Sequence, residues 1–149
     1  METMTQEDKE LLLKDLCARL DTNLVCSIYR TDDYCVGYRD EILHGYCKGD
    51  IWYEFYFGED CGICIDNVSK IKPYLFPMSS MTDEQKEEYY HIVNYISPDD
   101  TETWMEGEFI YVDTTQFLRL INFYHRNHLD YRGLINGGLA LDATGKNIY

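Results

Sequence analysis

The sequence is short of basic residues. Lysine and arginine total 13 against 27 aspartates and glutamates, which gives a formal net charge of −14. A surface this negative repels phosphate backbones and anionic lipid headgroups. We therefore predict no direct nucleic-acid partner and no membrane partner, and we favour a protein partner with a basic surface.

Long apolar runs are also missing. No stretch approaches the ~20 residues that a membrane-spanning helix needs. The first eight residues include three acidic and no basic side chains, whereas a secretory signal begins with a basic and then an apolar segment. We expect a cytoplasmic protein whose six cysteines stay reduced. No cofactor-binding pattern is present either, so we expect no cofactor.

The length and composition predict one folded domain. The 149 residues, 45% of them hydrophobic, match a typical domain and can bury roughly two thirds of the unfolded surface. We therefore take residues 1–149 as a single domain.

Three segments have the apolar spacing of amphipathic helices. The first covers about residues 6 to 20, the second about 83 to 96, and the third begins after Asp113. Capping patterns mark their starts at Thr5, Thr82 and Asp113. The polar face of the first helix is expected to expose Glu7, Lys14 and Arg19 to solvent.

Between residues 23 and 71 the apolar period changes to two, which predicts consecutive antiparallel strands. They are expected at residues 24–29, 34–38, 42–47, 51–57 and 61–65. Residues 72–77 contain two prolines and predict an extended crossover, not a central strand. Further short strands are predicted at 108–112 and 139–141.

The predicted fold class is therefore α+β, an antiparallel meander sheet of four to five strands packed with about three helices. The first and third helices are expected to pack on the apolar face of the sheet. The apolar side chains that make this contact are Leu13, Leu16, Leu20, Phe117, Leu120 and Ile121.

Three stretches carry a resemblance to a known family. They are residues 5–20, residues 71–82 with their Lys-Pro-Tyr-Leu-Phe-Pro motif, and residues 130–135, which begin Asp-Tyr-Arg. These stretches resemble a family of small uncharacterised proteins carried by phages, prophages and mobile elements of gut bacteria. The resemblance implies a bacterial host cell and favours a host-takeover or counter-defence role.

Acidic residues concentrate around the second helix. Residues 82–108 contain nine carboxylates and one basic residue, Lys86. Helices commonly carry such charge on a solvated face. The same density of carboxylates beside Tyr89, Tyr90 and Tyr95 also suits a surface that binds a basic partner. We predict the partner contacts at Asp83, Glu84, Glu87 and Glu88.

A second candidate site follows the third helix. A base, an acid, a phenol and a guanidinium group fall within five positions, and together they suit an anionic ligand. The structural alternative is a helix end in which Asp130 pairs with Arg132. The residues of this candidate ligand-binding cluster are His128, Asp130, Tyr131 and Arg132.

Cysteine and histidine supply two further alternatives. Cys61 and Cys64 with His125 and His128 make up a Cys₂His₂ set, although the histidine spacing is shorter than usual for zinc. Cys35 or Cys47 with His44 and an aspartate would supply a catalytic triad. No recognised catalytic motif is present, so an enzyme is the less favoured class.

The sequence therefore favours a non-enzymatic acidic binding protein of phage or mobile-element type that engages a host or defence protein. Nucleic-acid mimicry, with carboxylates in place of phosphates, is a special case of this function. One alternative is a small-molecule or nucleotide binder that acts as a sponge. The other is a small zinc protein or enzyme that uses the cysteines and histidines.

Overall fold

The computed structural model describes residues 4–32, 35–58, 62–93 and 113–149, and it has the predicted α+β class. Its helices are α1 (Gln6–Ala18), α2 (Asp83–Val93) and α3 (Thr114–Arg126). Its strands are β1 (Val25–Asp32), β2 (Cys35–Lys48), β3 (Tyr53–Phe57), β4 (Ile63–Ile65), β5 (Ile71–Pro77), β6 (Leu129–Asp130) and β7 (Leu141–Asp142). Short 3₁₀ turns, Val68–Lys70 and Met78–Ser80, flank β5.

All three helices begin at the predicted caps. In each, the N-cap side chain accepts a hydrogen bond from the backbone N–H three residues later. The side chain of that later residue accepts one from the N-cap N–H, so two otherwise unpaired donors are satisfied. The reciprocal pairs are Thr5 with Asp8, Thr82 with Gln85, and Asp113 with Gln116.

The sheet is mixed and has seven strands, more than the four to five predicted. Strands β1 to β4 form the predicted antiparallel meander, and the hydrogen-bonded order is β4-β3-β2-β1-β5-β6. Strands β6 and β7 both pair with β5 in parallel. The sheet also curls. This follows from Tyr29 of β1 and Cys64 of β4, which line one concave space although β2 and β3 lie between their strands.

The prediction of two strands, at 34–38 and 42–47, was wrong. They form one strand, because β2 runs unbroken through the charged residues between them. Arg39 and Glu41 form an ion pair at 2.6 Å on one face of the strand. On the other face, Asp40 accepts a hydrogen bond of 3.0 Å from the Tyr74 hydroxyl. Because side chains alternate along a strand, each charged group here finds a partner without interrupting the pairing.

The predicted crossover at residues 72–77 was also wrong, because it forms strand β5 beside β1. A proline disrupts a central strand only where the ladder needs its missing N–H. Here the Phe76 N–H donates to the His128 carbonyl, and the Leu75 carbonyl accepts from the Ala143 N–H, both at 2.8 Å. Pro77 is the last residue of the strand.

The buried apolar side chains form two clusters. The first lies between α1 and the concave face of the sheet and includes Leu16, Phe55 and Phe57. The second lies between α2, α3 and β6 and includes Phe123 and Leu129. No helix in the described part of the chain is long and apolar enough to cross a bilayer.

The predicted docking of the third helix onto the sheet was wrong in part. Leu120 is buried but, with Ile121, it packs in the second cluster, while Phe117 is 50% exposed. The apolar face of the sheet is instead covered by Leu12 and Leu16 of α1 and by Leu134 and other residues of the last segment. Leu13 and Leu20 are partly buried against the first cluster.

Several other predicted elements have different bounds in the structure or lie outside the described residues. The strand predicted at 51–57 is β3, which starts only at Tyr53; Ile51, before it, is 97% exposed. The strand predicted at 139–141 is β7, Leu141–Asp142. The strand predicted at 108–112, the end of the second helix and Cys61 lie outside the described residues. Among the described residues, Cys17, Cys26 and Cys47 are free thiols.

Candidate functional site

The four carboxylates predicted to contact a partner are all exposed on α2. Glu84, Glu87 and Glu88 share one side of the helix, because residues three and four apart are neighbours on a helix surface. Gln85, near the start of α2, donates a 3.1 Å hydrogen bond to Asn127, which follows α3. The two helices therefore run antiparallel, and the carboxylates lie beside the end of α3.

A groove of about 620 Å³ runs along the surface between α2 and α3. Glu84, Glu87 and Glu88 line it from α2, Arg119 and Arg126 line it from α3, and the buried Ile92 contributes an apolar side chain. Glu88 forms an ion pair with Arg126. One wall is thus acidic and the other basic.

Large exposed side chains on the same two helices add contact area. Tyr90 is 48% exposed on α2, and Phe117 and Leu118 are 50% and 59% exposed on α3. The neighbouring Tyr89 is packed inward, with its ring 6.3 Å from the ring of Phe123. Exposed aromatic side chains beside charge are typical of protein-binding surfaces. The third predicted tyrosine, Tyr95, lies outside the described residues.

The second predicted site, residues 128–132, is built into the fold. Asp130 is buried, and its two carboxylate oxygens accept hydrogen bonds from the N–H groups of Leu134 (2.8 Å) and Ile135 (2.9 Å). The proposed pairing of Asp130 with Arg132 was therefore wrong. Asp130 instead fixes the turn that follows β6.

Arg132 belongs to a buried charge network centred on α1. Asp15 and Arg19 are both fully buried, and the Arg19 Nε donates to Asp15 at 3.0 Å. Arg132 donates to the other Asp15 oxygen at 3.1 Å, and Arg19 donates to the Leu129 carbonyl at 2.7 Å. The Asp15–Arg19 pair therefore joins α1 to β6, through Arg19, and to the residues just after β6, through Arg132.

Tyr131 is enclosed by this network. Its ring stacks on the ring of Tyr124 at 4.9 Å, and the guanidinium groups of Arg19 and Arg132 lie 5.4 and 5.0 Å from its centre. Its hydroxyl is hydrogen-bonded to Nε2 of His125 at 2.8 Å. Burial and the nearby Arg19 lower the pKa of His125, which favours the neutral ring.

His128 also lies near Arg19. Its ring stacks on that of Tyr149 at 3.6 Å and 10°. The Tyr149 hydroxyl donates to the Tyr74 carbonyl (2.8 Å) and accepts from the Val25 N–H (3.0 Å). Among the buried side-chain atoms of the described segments, Arg19 Nη1 and His128 Nδ1 have no hydrogen-bond partner.

The network predicts a pH-dependent stability. Burial and Arg19 lower the pKa of His128 from 6.5 to about 4. Between these values the unfolded chain binds a proton at His128 and the folded chain does not, so stability should fall as the pH falls. One fully linked proton gives a slope of up to about 1.4 kcal/mol per pH unit.

Urea unfolding at several pH values across this window measures that slope. His128 has a positive φ of 54°, which asparagine tolerates, so His128→Asn should keep the backbone and flatten the pH dependence. His44→Asn, at an exposed position, is the matched control and should retain the wild-type slope. Equal slopes in all three proteins would exclude His128 as the linked group.

Sequence reasoning missed Asp15 and placed Arg19 in solvent. A signal was present, because Leu12, Asp15, Leu16 and Arg19 follow the i, i+3, i+4, i+7 spacing of a single helix face. The oppositely charged pair lies on the face that carries the buried leucines. Their position among the buried leucines predicts that the pair is buried, although its charge alone would predict exposure.

The zinc set considered as an alternative is not brought together, because its described members Cys64 and His128 lie far apart. Cys64 lines a space with Lys70, which precedes β5, whereas the His128 carbonyl is bonded to Phe76 near the end of β5. Six residues of extended strand separate these points by about 20 Å. Within the described residues, no group of three or more His, Cys, Asp or Glu side chains is placed to hold a metal ion.

The catalytic triad considered as an alternative is not formed either. His44 and Cys47 both lie on β2, three residues apart, so about 10 Å of extended strand separates them. Cys35 is nine residues from His44 along the same strand, about 30 Å away. Neither distance allows the hydrogen bond that activates a nucleophile.

Comparison with protein-family models, with curated proteins and with solved structures finds no match for this chain. The resemblance to proteins of phages and mobile elements stays a prediction.

Proposed function

We propose that this chain is a non-enzymatic binding protein whose α2–α3 surface engages a basic surface of a partner protein. The observation that carries the proposal is the shared placement of Glu84, Glu87 and Glu88 along one groove. Carboxylates held side by side create a local field that speeds encounter with a basic partner. Tyr90 at 48% exposure supplies aromatic contact area beside them.

The partner we propose is a host or defence protein of a bacterial cell. This part of the proposal rests on the resemblance to proteins of phages and mobile elements. The charge supports it in general terms, because a chain at −14 disfavours direct contact with nucleic acid. Nucleic-acid mimicry remains the special case in which the partner uses a nucleic-acid-binding groove.

The charge of the α2 wall should control association. Reversing two carboxylates, Glu84→Lys with Glu87→Lys, should slow association with the partner by about tenfold or more, because long-range steering is lost. Glu88 is left unchanged, since its reversal would also break the ion pair with Arg126. The partner is first identified by capture from host lysate with the wild-type protein, and stopped-flow mixing then measures the association rate.

Helix α1 offers a matched control. Glu7 and Glu10 are exposed, are also three residues apart, and begin in the first turn of their helix as Glu84 does. Glu7→Lys with Glu10→Lys therefore makes the same change in net charge at the same helical positions. Equal slowing by both double variants would show that only net charge matters and would contradict a binding surface on α2.

Salt separates mimicry from a less charged interface. If the α2 carboxylates replace phosphates, the association constant should fall steeply as the salt concentration rises. An interface formed mainly by Tyr90 and apolar neighbours should respond weakly. Titrating salt against the association constant of the captured partner distinguishes the two modes.

A further inference from the structure

Residues 143–149, which we name the strap, cross strand β5. The Ala143 N–H donates to the Leu75 carbonyl at 2.8 Å, and the Tyr149 hydroxyl donates to the Tyr74 carbonyl at 2.8 Å. Consecutive residues of a strand turn their backbone groups to opposite edges, so these two hydrogen bonds lie on opposite edges of β5. The strap therefore passes over the strand from one edge to the other.

The hydroxyl of Tyr149 takes the place of a rung in the ladder between β1 and β5. The described pairing of these strands stops at Cys26 opposite Pro73. In this register the next pair would be Val25 opposite Tyr74. The Val25 N–H instead donates to the Tyr149 hydroxyl at 3.0 Å, and that hydroxyl donates to the Tyr74 carbonyl. A side chain of the strap thus clips the two strands together where they diverge.

Side-chain contacts to described residues hold the strap beyond Ala143. The backbone N–H of Lys146 returns to the Ala143 carbonyl, and Lys146 Nζ lies 5.8 Å from the centre of the Tyr74 ring. The Tyr149 ring stacks on that of His128 at 3.6 Å and 10°. Losing the contacts of Tyr149 would therefore free the strap without breaking the backbone ladder of the sheet.

His128 links the strap to the buried charge of α1. Its side chain is buried, and Nδ1 has no hydrogen-bond partner among the described residues. Tyr149 covers the ring from the strap, and the positive charge of Arg19 acts on it from α1. A proton on His128 would add a second positive charge and a further N–H donor. Both would lie near a guanidinium group whose Nη1 is itself buried without a partner.

The other titratable groups of the surrounding elements are bonded within the fold or are neutral. They are Asp15 of α1, Cys26 of β1, Tyr74 of β5, His125 of α3 and Asp130 of β6. The two carboxylates and the Tyr74 hydroxyl have described partners. Burial raises the pKa of Cys26 and lowers that of His125, so neither is charged at pH 7. The charge that acts on His128 is therefore that of Arg19.

We propose that protonation of His128 releases the strap while the rest of the fold stays closed. Protonation places two like charges near each other in a buried setting, which is unfavourable. Moving Tyr149 away admits water to the imidazolium ring and removes part of that cost. The device is separate from the α2–α3 surface and does not depend on the function proposed for that surface.

The His128 pKa sets the expected size of the effect. A group whose pKa is lowered in the closed form favours closure above its ordinary pKa and loses this contribution as the pH falls to the lowered value. The difference between 6.5 and about 4 corresponds to a change of up to about 300-fold in the ratio of closed to open strap. Opening should therefore develop as the pH falls through this window.

Two-dimensional NMR of the isotope-labelled chain between about pH 7.5 and 3.5 tests the proposal. The amides of residues 144–149 should gain fast motion along the titration curve of the His128 ring, while those of Leu16 and Phe55 in the first cluster should keep their positions. His128→Asn, which tolerates the φ of 54° at this position, should remove the response. His44→Asn, at an exposed position, should respond as wild type.

Hydrogen exchange at neutral pH tests the clip without acid. Tyr149→Phe keeps the ring but loses the hydroxyl, so the Val25 N–H should exchange roughly tenfold faster, the effect of losing one hydrogen bond. Tyr38→Phe is the matched control. Tyr38 is 70% exposed on β2, and its variant should leave the exchange of Val25 unchanged.

Three results would overturn the proposal. The first is a strap that stays fixed or becomes more rigid while His128 titrates, as attraction between an imidazolium and the Tyr149 ring would cause. The second is a simultaneous change of strap and core amides, which would mean global unfolding and no separate release. The third is unchanged exchange of Val25 in Tyr149→Phe.

Discussion

Replacing Asp15 by asparagine should destabilise the protein by about 3–5 kcal/mol, the typical cost of removing one partner from a buried ion pair. The Asp15 carboxylate accepts from Arg19 at 3.0 Å and from Arg132 at 3.1 Å. The amide offers one oxygen where two are used, and its NH₂ would face a guanidinium group. Arg19, with no exposed surface, would then keep its charge without a counterion.

Urea unfolding of Asp15→Asn and Asp21→Asn measures the difference. Asp21 is exposed, so the same substitution there should change the free energy of unfolding by no more than about 0.5 kcal/mol. The double variant Asp15→Leu with Arg19→Leu should recover much of the loss, because a well-packed apolar pair often replaces a buried ion pair at little cost. A cost below about 1 kcal/mol for Asp15→Asn would contradict the buried network.

Replacing Phe123 by alanine should cost about 3–5 kcal/mol, as for other buried aromatic residues. Phe123 is fully buried in the second cluster, with its ring 6.3 Å from that of Tyr89 and 5.9 Å from that of Tyr124. The cavity left between α2 and α3 cannot collapse without moving one helix. The free energy of unfolding, measured in urea, reports the loss.

Phe117→Ala is the matched control, since it is the same substitution on the same helix. Phe117 is 50% exposed, so its loss should cost less than half as much as that of Phe123. The sequence pattern alone placed Phe117 in the core. Equal costs would show that the first turn of α3 is packed and would restore that prediction.

Local signals predicted much of the fold. The caps at Thr5, Thr82 and Asp113 depend on side chains three residues apart, so sequence alone locates them. The meander of β1 to β4 follows from period-two spacing and short turns. The class was therefore confirmed, while the boundaries shifted by a few residues.

The wrong predictions share a long-range cause. β5 was missed because its hydrogen bonds run to His128 and Ala143, more than fifty residues away, and two prolines hid the strand. β2 was divided because the partner of Asp40 is Tyr74. Neither partner can be identified by examining the neighbouring residues.

In the candidate sites, the exposed side chains were predicted and the partners of the buried ones were missed. The exposure of Glu84, Glu87 and Glu88 follows from helical spacing and was predicted. The role of Arg132 was not, because its partner is a carboxylate on α1, 117 residues away. The role of Asp130 was missed although its partners, Leu134 and Ile135, are only four and five residues away. The concave space lined by Arg30 and Lys70 was missed because curling of the sheet brings Lys70 to the hairpin that carries Arg30.

The Asp15 network also constrains the order in which the chain can fold. Arg19 is satisfied by Leu129 and Asp15 by Arg132, contacts that span 110 and 117 residues. Until those residues arrive, burying α1 against the sheet would leave the Asp15–Arg19 pair short of two hydrogen bonds in an apolar setting, at a cost of about 1–3 kcal/mol for each unsatisfied group. We therefore expect α1 to be fixed against the meander only when the segment that carries Leu129 and Arg132 has docked, so that the first helix in the sequence is among the last to be locked in place.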